Sequence, residues 1–394
     1  MKKYSHLQKF IFAIIVLSIF ACSKDSTKKI KQEAKFIGKE TCKSCHEEEY
    51  NSWVGSDHDK AMAVATDSSV LGNFNKSEFK FEGVTSKFYK KGNKFFVRTN
   101  GPHGKIGEFE ITHTFGYKPL QQYLIPFENG RYQCLPIAWD TEKEKWFSLA
   151  EAIYSDDIPK PNDWLYWTNN AQNWNGMCAE CHSTNLQKNF DPKTKIFNTT
   201  YSEINVSCEA CHGPGSNHKE WAESPKMIRT TDSNFDLIVK TSNISSKKYV
   251  ELCTYCHSRR ASLSHLDYKS KHSLDMIIPG ALDENYFPDG QILEEDYVYA
   301  SFAHSKMYEN DVSCRNCHNV HSGKLILEGN TLCAQCHVPN VYDTPKHHFH
   351  KLQLEKGKPL ILKDKIYQVG EGAKCINCHM PGRYYMGNDF RRDH

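Results

Sequence analysis

Cys314-Arg315-Asn316-Cys317-His318-Asn319-Val320-His321, followed twelve residues later by Cys333-Ala334-Gln335-Cys336-His337, is the stretch whose reading decides the fold. It holds two Cys-x-x-Cys-His units in quick succession. Five more lie elsewhere: Cys42-Cys45-His46, Cys178-Cys181-His182, Cys208-Cys211-His212, Cys253-Cys256-His257 and Cys375-Cys378-His379. Fourteen of the sixteen cysteines fall into this one pattern. Random placement at this composition predicts about 0.03 such units, so the seven are there for a chemical reason.

Two cysteines three apart occupy neighbouring positions of a helical turn, so both sulfurs reach one edge of a planar group. The histidine lies four residues from the first cysteine, on the same face, and its imidazole reaches a metal at the centre of that group. Thioethers to the two vinyl groups of a haem, with the histidine as proximal iron ligand, require this order. Seven covalently attached haem c are therefore expected, with His46, His182, His212, His257, His318, His337 and His379 on iron. Zinc sites built from paired cysteines need no histidine after every second cysteine, and seven pairs is an odd number for four-cysteine sites. A thioredoxin-like redox pair is usually single.

Composition agrees. Only 39% of the 394 residues are hydrophobic, and mean hydropathy is −0.65. Beyond residue 21 the chain offers about 53 residues per unit, too few to wrap each haem in its own shell. The haems are expected to pack on one another and serve as core. The net charge of +3 is scattered, with no basic stripe of the kind that binds nucleic acid.

Lys2, Lys3 and Lys9 flank an apolar run, Phe10 to Ala21, that is short for a membrane span and reads as an export signal. It ends in Ile19-Phe20-Ala21-Cys22, a lipobox-like ending, followed by a Ser/Lys/Thr tether. The expectation is a lipoprotein signal peptide at 1–21, a lipidated Cys22 and an exported chain anchored to a membrane, on its periplasmic or cell-surface side.

Twelve histidines outside the units and the signal compete for seven distal iron positions. His321 lies three residues past His318 and cannot cross to the far side of the same iron, so it is expected to serve a neighbouring haem. His218 follows the turn Gly213-Pro214-Gly215 and is expected to do likewise. His58 can return to its own haem or a neighbour's. In His347-His348-Phe349-His350, His348 or His350 is the expected ligand, with the others at the surface. His272, His304 and His394 are weaker candidates, and His265 weaker still.

The units start 136, 30, 45, 61, 19 and 42 residues apart, so there is no simple repeat. In the longest gap, aromatic and aliphatic residues alternate with polar ones (Phe79, Phe81, Phe88, Phe95, Val97, Phe109, Ile111). Turns at Lys91-Gly92-Asn93 and Asn100-Gly101-Pro102 separate these runs, a hairpin pattern. Cys134 in this region reads as a small buried hydrophobe. The expected fold is mostly α and irregular: a multihaem cytochrome c with a haem-packed core and a small antiparallel β subdomain inserted after the first haem. The expected divisions are tether 22–40, first haem segment 41–70, β-rich insert 71–160 and six-haem module 161–394.

Three strings carry a resemblance: Phe115-Gly116-Tyr117-Lys118-Pro119-Leu120-Gln121-Gln122-Tyr123, Asn173-Trp174-Asn175-Gly176-Met177-Cys178-Ala179-Glu180-Cys181-His182 and Cys208-Glu209-Ala210-Cys211-His212-Gly213-Pro214-Gly215. They resemble exported multihaem cytochromes of the cytochrome c-552/c-554 class, and more closely the bacterial subset in which this module precedes tetratricopeptide repeats. The resemblance runs from about Thr41 to Arg392 and implies electron transfer through largely bis-histidine haems, with redox proteins as donor and acceptor. Members of that subset continue past a segment like Arg391-Arg392-Asp393-His394 into a further haem motif and the repeats. A tetratricopeptide-repeat partner chain is one way to account for the difference. The alternative function is a haem-dependent oxidoreductase of small nitrogen or sulfur compounds with an open site at one haem, for which the first haem, beside His58 and the insert, is the candidate. All seven units end in His, with none of the Lys replacement of ammonia-forming nitrite reductases, which favours electron transfer over substrate conversion.

Overall fold

The computed structural model describes residues 33–155, 157–231, 233–264, 273–280, 285–293, 298–348, 360–362, 365–367 and 370–394. The signal segment, Cys22, His265, His272 and His350 lie outside the described residues. Among the described residues, thirteen short α-helices and several small antiparallel sheets alternate along the chain. None of these helices is long and apolar enough to cross a membrane.

The alternating aromatic region forms two sheets. Strands β2 (Ser77–Phe81), β3 (Val84–Lys91), β4 (Lys94–Asn100) and β5 (Ile106–Ile111) make an antiparallel meander. Strand alternation sends every second side chain inward, and the inward set includes Phe88, Phe95, Val97 and Ile111, all buried. The opposite face carries cross-strand ion pairs such as Lys87–Glu78 and Lys91–Glu108. A second sheet is built from β1 (Met62–Val64), β6 (His113–Phe115), β7 (Leu120–Pro126), β8 (Tyr132–Cys134), β9 (Ile137–Asp140) and β10 (Lys145–Ser148). Its first strand pairs with β6, Met62 opposite Phe115. The backbone just after His58 is thus already part of the sheet.

The two sheets enclose one aromatic core. Phe88 stacks on Trp146 at 3.7 Å, and Phe74 makes edge contacts with Phe88, Phe95, Tyr123 and Trp146. Trp167 joins from the other side, its indole N–H donating to the Asn100 carbonyl at 2.9 Å. A second, smaller core of Met62, Leu124, Cys134, Trp174, Ala179 and Leu186 attaches the six-stranded sheet to the second Cys-x-x-Cys-His unit. Trp174 N–H donates to the Tyr132 carbonyl at 2.9 Å, and its ring N–H reaches Met62 Sδ at 3.1 Å. The sheets therefore back the second unit.

The chain closes with a hairpin, Gly382–Tyr385 paired to Asp389–Arg392. Arg392 donates to the Ile376 and Met380 carbonyls and to Asn377 Oδ1, pinning the hairpin to the last unit. At the other end of this hairpin, Asn388 reaches the buried Asp140 of β9. Burial pushes the Asp140 carboxyl up. The N–H groups of Lys143 and Glu142, the Asn388 amide and the Lys143 charge outweigh it and hold the group below its usual value. A depressed carboxylate stabilises the fold above its unfolded pKa of about 4, and that stabilisation fades as pH falls through the folded value. Asp140→Asn is expected to lower the chemical unfolding midpoint at pH 7, with the gap to wild type narrowing on acidification, read by circular dichroism.

Candidate metal centres

In each attachment unit the chain turns tightly at the second cysteine and histidine. His46, His257, His318 and His337 donate their backbone N–H to the carbonyl of the cysteine four residues earlier, at 2.9–3.0 Å. His212 and His379 close the helices Cys208–His212 and Cys375–His379. This single turn sets both sulfurs and the imidazole on one side, as a tethered planar group requires. None of the fifteen described cysteines is joined to another in a disulfide.

The imidazoles then meet in pairs drawn from distant parts of the chain. Ring centres of His46 and His218 lie 6.0 Å apart, those of His58 and His257 6.1 Å, and those of His212 and His321 6.4 Å. His318 and His394 are 6.4 Å apart, and His347 and His379 6.0 Å. A metal–imidazole bond of about 2.0 Å, plus about 1.1 Å from nitrogen to ring centre on each side, puts two rings sharing one metal about 6.2 Å apart. Five pairs at this spacing, each containing one unit histidine, fit a metal between the rings. Burial pushes His182, His212 and His257 down to about 4, and the neighbouring imidazoles add to the effect. They are thus neutral at pH 7, the form that donates a lone pair to a metal.

Among the described residues, no group of three or more His, Cys, Asp or Glu is placed to hold a bare metal ion. Two facing imidazoles complete a coordination sphere only if the metal brings its other ligands with it. An iron porphyrin does so, and the thiols at its edge are what would bind it covalently.

The units also touch one another. The Cys42 thiol neighbours that of Cys208, Cys181 that of Cys256, Cys253 that of Cys314, and Cys333 that of Cys375, near enough for each pair to influence one another electrostatically. Cys211 approaches both Cys253 and Cys256, and Cys317 approaches Cys336. Contact therefore runs from the first unit to the third, fourth, fifth, sixth and seventh, with the second joined to the fourth. The 136 residues between the first two units are no guide to distance, because the first unit docks on the third.

His58, His218 and His321 each face a unit histidine from a different part of the chain. In the histidine run it is His347 that faces His379. His348 sits with its Nε2 3.7 Å from Asp343. His394, a weaker candidate by sequence, faces His318; its Nδ1 is 3.0 Å from the Arg392 carbonyl, and its backbone N–H donates to Ser301. Among the described residues, no imidazole faces His182 or His337 at this spacing. Phe115 packs beside His182, with ring centres 4.4 Å apart, and Tyr342 lies edge-on to His337 at 5.6 Å. The first unit, expected to stand apart beside the insert, is faced by His218, while the sheets back the second.

Charged side chains brace the contact between the second and fourth units. Glu180, within the second unit, pairs with Arg260 at 3.1 Å and Lys188 at 3.6 Å, and both Glu180 and Arg260 side chains are 8% exposed. Burial pushes the Glu180 carboxyl up, but Lys188, Tyr255 and Arg260 bring it below its usual value. The Arg260 guanidinium stacks 4.3 Å over Tyr255 and reaches Cys181 Sγ at 3.6 Å. Neither residue has a signature in a single sequence, since the pairing joins positions 80 apart. Removing one partner of a buried pair leaves a bare charge, so Arg260→Met is expected to cost about 3–5 kcal/mol of stability in chemical unfolding.

Comparison with known proteins gives three similarities. Residues 41–87 and 141–213 match the family described as cytochrome c554 and c-prime. The gap between the two matched segments falls within the two β sheets. The multiheme cytochrome MtrA of Shewanella baltica (strain OS185) is 23% identical over 227 residues, covering 55% of this chain and 48% of that protein. The chain thus spans about half the length of this curated relative. The crystal structure of the outer cell wall cytochrome OcwA superposes with a TM-score of 0.55 at 17% identity, over 90% of this chain and 78% of that one.

Proposed function

We propose that the chain is a multihaem c-type cytochrome that carries seven covalently bound haem c and relays electrons among them outside the cytoplasm. The observation that carries this reading is the set of five imidazole pairs at 6.0–6.4 Å, on units whose cysteines neighbour one another in one connected series. Bound haem supplies one-electron chemistry by cycling iron between Fe(III) and Fe(II). Everything else is the work of this chain's residues. Each cysteine pair would hold a haem covalently, and each unit histidine would bind its iron. His218, His58, His321, His394 and His347 would supply the second nitrogen at the first, fourth, third, fifth and seventh units. Iron held by two imidazoles would leave no room for a small molecule, which suits these centres to passing electrons. Because each of these distal histidines comes from outside the unit it faces, the pairs also tie neighbouring units together. Export is supported by the signal-like N-terminus and by the likeness to OcwA, an outer cell wall cytochrome. The donor and acceptor are redox proteins, and Cys22 is the lipid-anchoring residue of this reading.

A second reading rests on one observation: among the described residues no imidazole faces His182 at 6.0–6.4 Å, and the sheets back that unit with Phe115, Met62 and Trp174. An open position on an iron bound there would make the second unit, rather than the first, the place for any conversion of a small nitrogen or sulfur compound.

Electron paramagnetic resonance of the oxidised holoprotein tests both. Imidazole planes 71° apart, as for His58 and His257, give a strongly anisotropic low-spin signal. Planes 3° apart, as for His347 and His379, give an ordinary rhombic one. Both signals are expected, together with seven haems per chain by mass. His218→Ala and His321→Ala should each convert one low-spin centre into a high-spin, carbon-monoxide-binding one. A haem count below seven, or variants that leave the spectrum unchanged, would sink the proposed assignment. A wild-type high-spin centre that binds nitrite or hydroxylamine would favour the second reading.

A further inference from the structure

Glu209 is the second residue of the third attachment unit, and it is 2% exposed. A buried carboxylate is costly unless donors satisfy it, and here three backbone N–H groups do so. The Ile37 N–H is shared between Oε1 at 3.0 Å and Oε2 at 3.1 Å. Gly38 N–H donates to Oε2 and Gly215 N–H to Oε1, both at 2.8 Å. All three groups are donors aimed at the two carboxylate oxygens. The cradle depends on its glycines. Gly38 has φ +77°, and a Cβ on Gly215 would stand 3.2 Å from Ile37 Cδ1 and 3.4 Å from Glu209 Oε1.

The carboxylate thereby joins the segment that leads into Cys42 to the unit that begins at Cys208, whose thiols are neighbours. Its charge sets it apart from Glu180. That glutamate occupies the third position of its own unit and is matched by Arg260 and Lys188. Glu209 has no lysine or arginine in ion-pair contact among the described residues; its cradle is made of dipoles alone.

We propose that Glu209 is a positioning residue that docks the first unit on the third and, as a buried carboxylate with no lysine or arginine in ion-pair contact among the described residues, lowers the reduction potentials of these two centres. The inference rests on the relay reading above. Reduction adds one electron to an Fe(III) centre and lowers its charge by one, with no proton moving at Glu209, and a fixed anion nearby disfavours that gain. At about 10 Å in a protein interior, one unit charge changes such an equilibrium on the order of tenfold.

The test is an electrode-poised redox titration of the full holoprotein, followed by visible absorbance and electron paramagnetic resonance. Glu209→Gln removes the charge at nearly constant shape. It should raise two of the seven midpoints, each by about tenfold in the reduction equilibrium constant, or 59 mV for one electron. Ile37→Pro keeps the charge but deletes one donor, so the same two midpoints should move down. Opposite signs in the two variants separate an electrostatic role from structural damage, which would move both the same way. Unchanged midpoints in two fully loaded variants, or shifts of the same sign, would overturn the proposal. If Glu209→Gln does not mature, Ile37→Pro decides alone: a downward shift supports the proposal and no shift overturns it. A wild-type protein whose haems do not cycle reversibly would instead bring down the relay reading, and this inference with it.

Discussion

Imidazoles that meet in pairs about 6 Å apart, each pair setting a histidine of an attachment unit against one from outside it, are the constraint on which the rest of this structure depends. The chain path must bring the two members of each pair together from distant segments. His218 comes from the helix Ser216–Glu223, His321 from the turn after the fifth unit, and His394 from the end of the C-terminal hairpin. Short helices and irregular loops follow from this demand. A long helix would carry its residues away from the next unit, whereas a short turn brings them back.

The β sheets answer a different need. They hold a conventional aromatic core, with Phe74, Phe88 and Trp146 in direct ring contact, in a chain otherwise poor in apolar side chains. Through Met62, Cys134 and Trp174 they grip the second unit. Cys134 lies within hydrogen-bond reach of Cys178, the first attachment cysteine of that unit. The sheets thus provide a wall on one side of the series of units, at one of the two units whose histidines no other described imidazole faces at this spacing.

Charge is handled with the same economy. Where two units meet at Cys181 and Cys256, Glu180 and Arg260 neutralise one another. Where Cys42 meets Cys208, Glu209 is held by backbone dipoles alone. Since the local field helps set how readily a metal centre accepts an electron, two junctions alike in covalent pattern differ in electrostatics.

By itself, the sequence determined the attachment chemistry. The seven Cys-x-x-Cys-His units point to their own thiols and imidazoles as the attachment and proximal groups, because that pattern is complete within five residues. It also disclosed the strand alternation between Phe79 and Ile111, since a period of two is local. The distal partners are another matter. His347 rather than His348 turns toward His379, and His394 returns to His318, through loop paths that no local pattern encodes. The same holds for the docking of the first unit on the third across 166 residues, and for the carboxylate that fastens it. Those choices belong to the tertiary structure because each is a contact between segments far apart in the chain. Only the folded path decides which of many histidines and glutamates comes within reach.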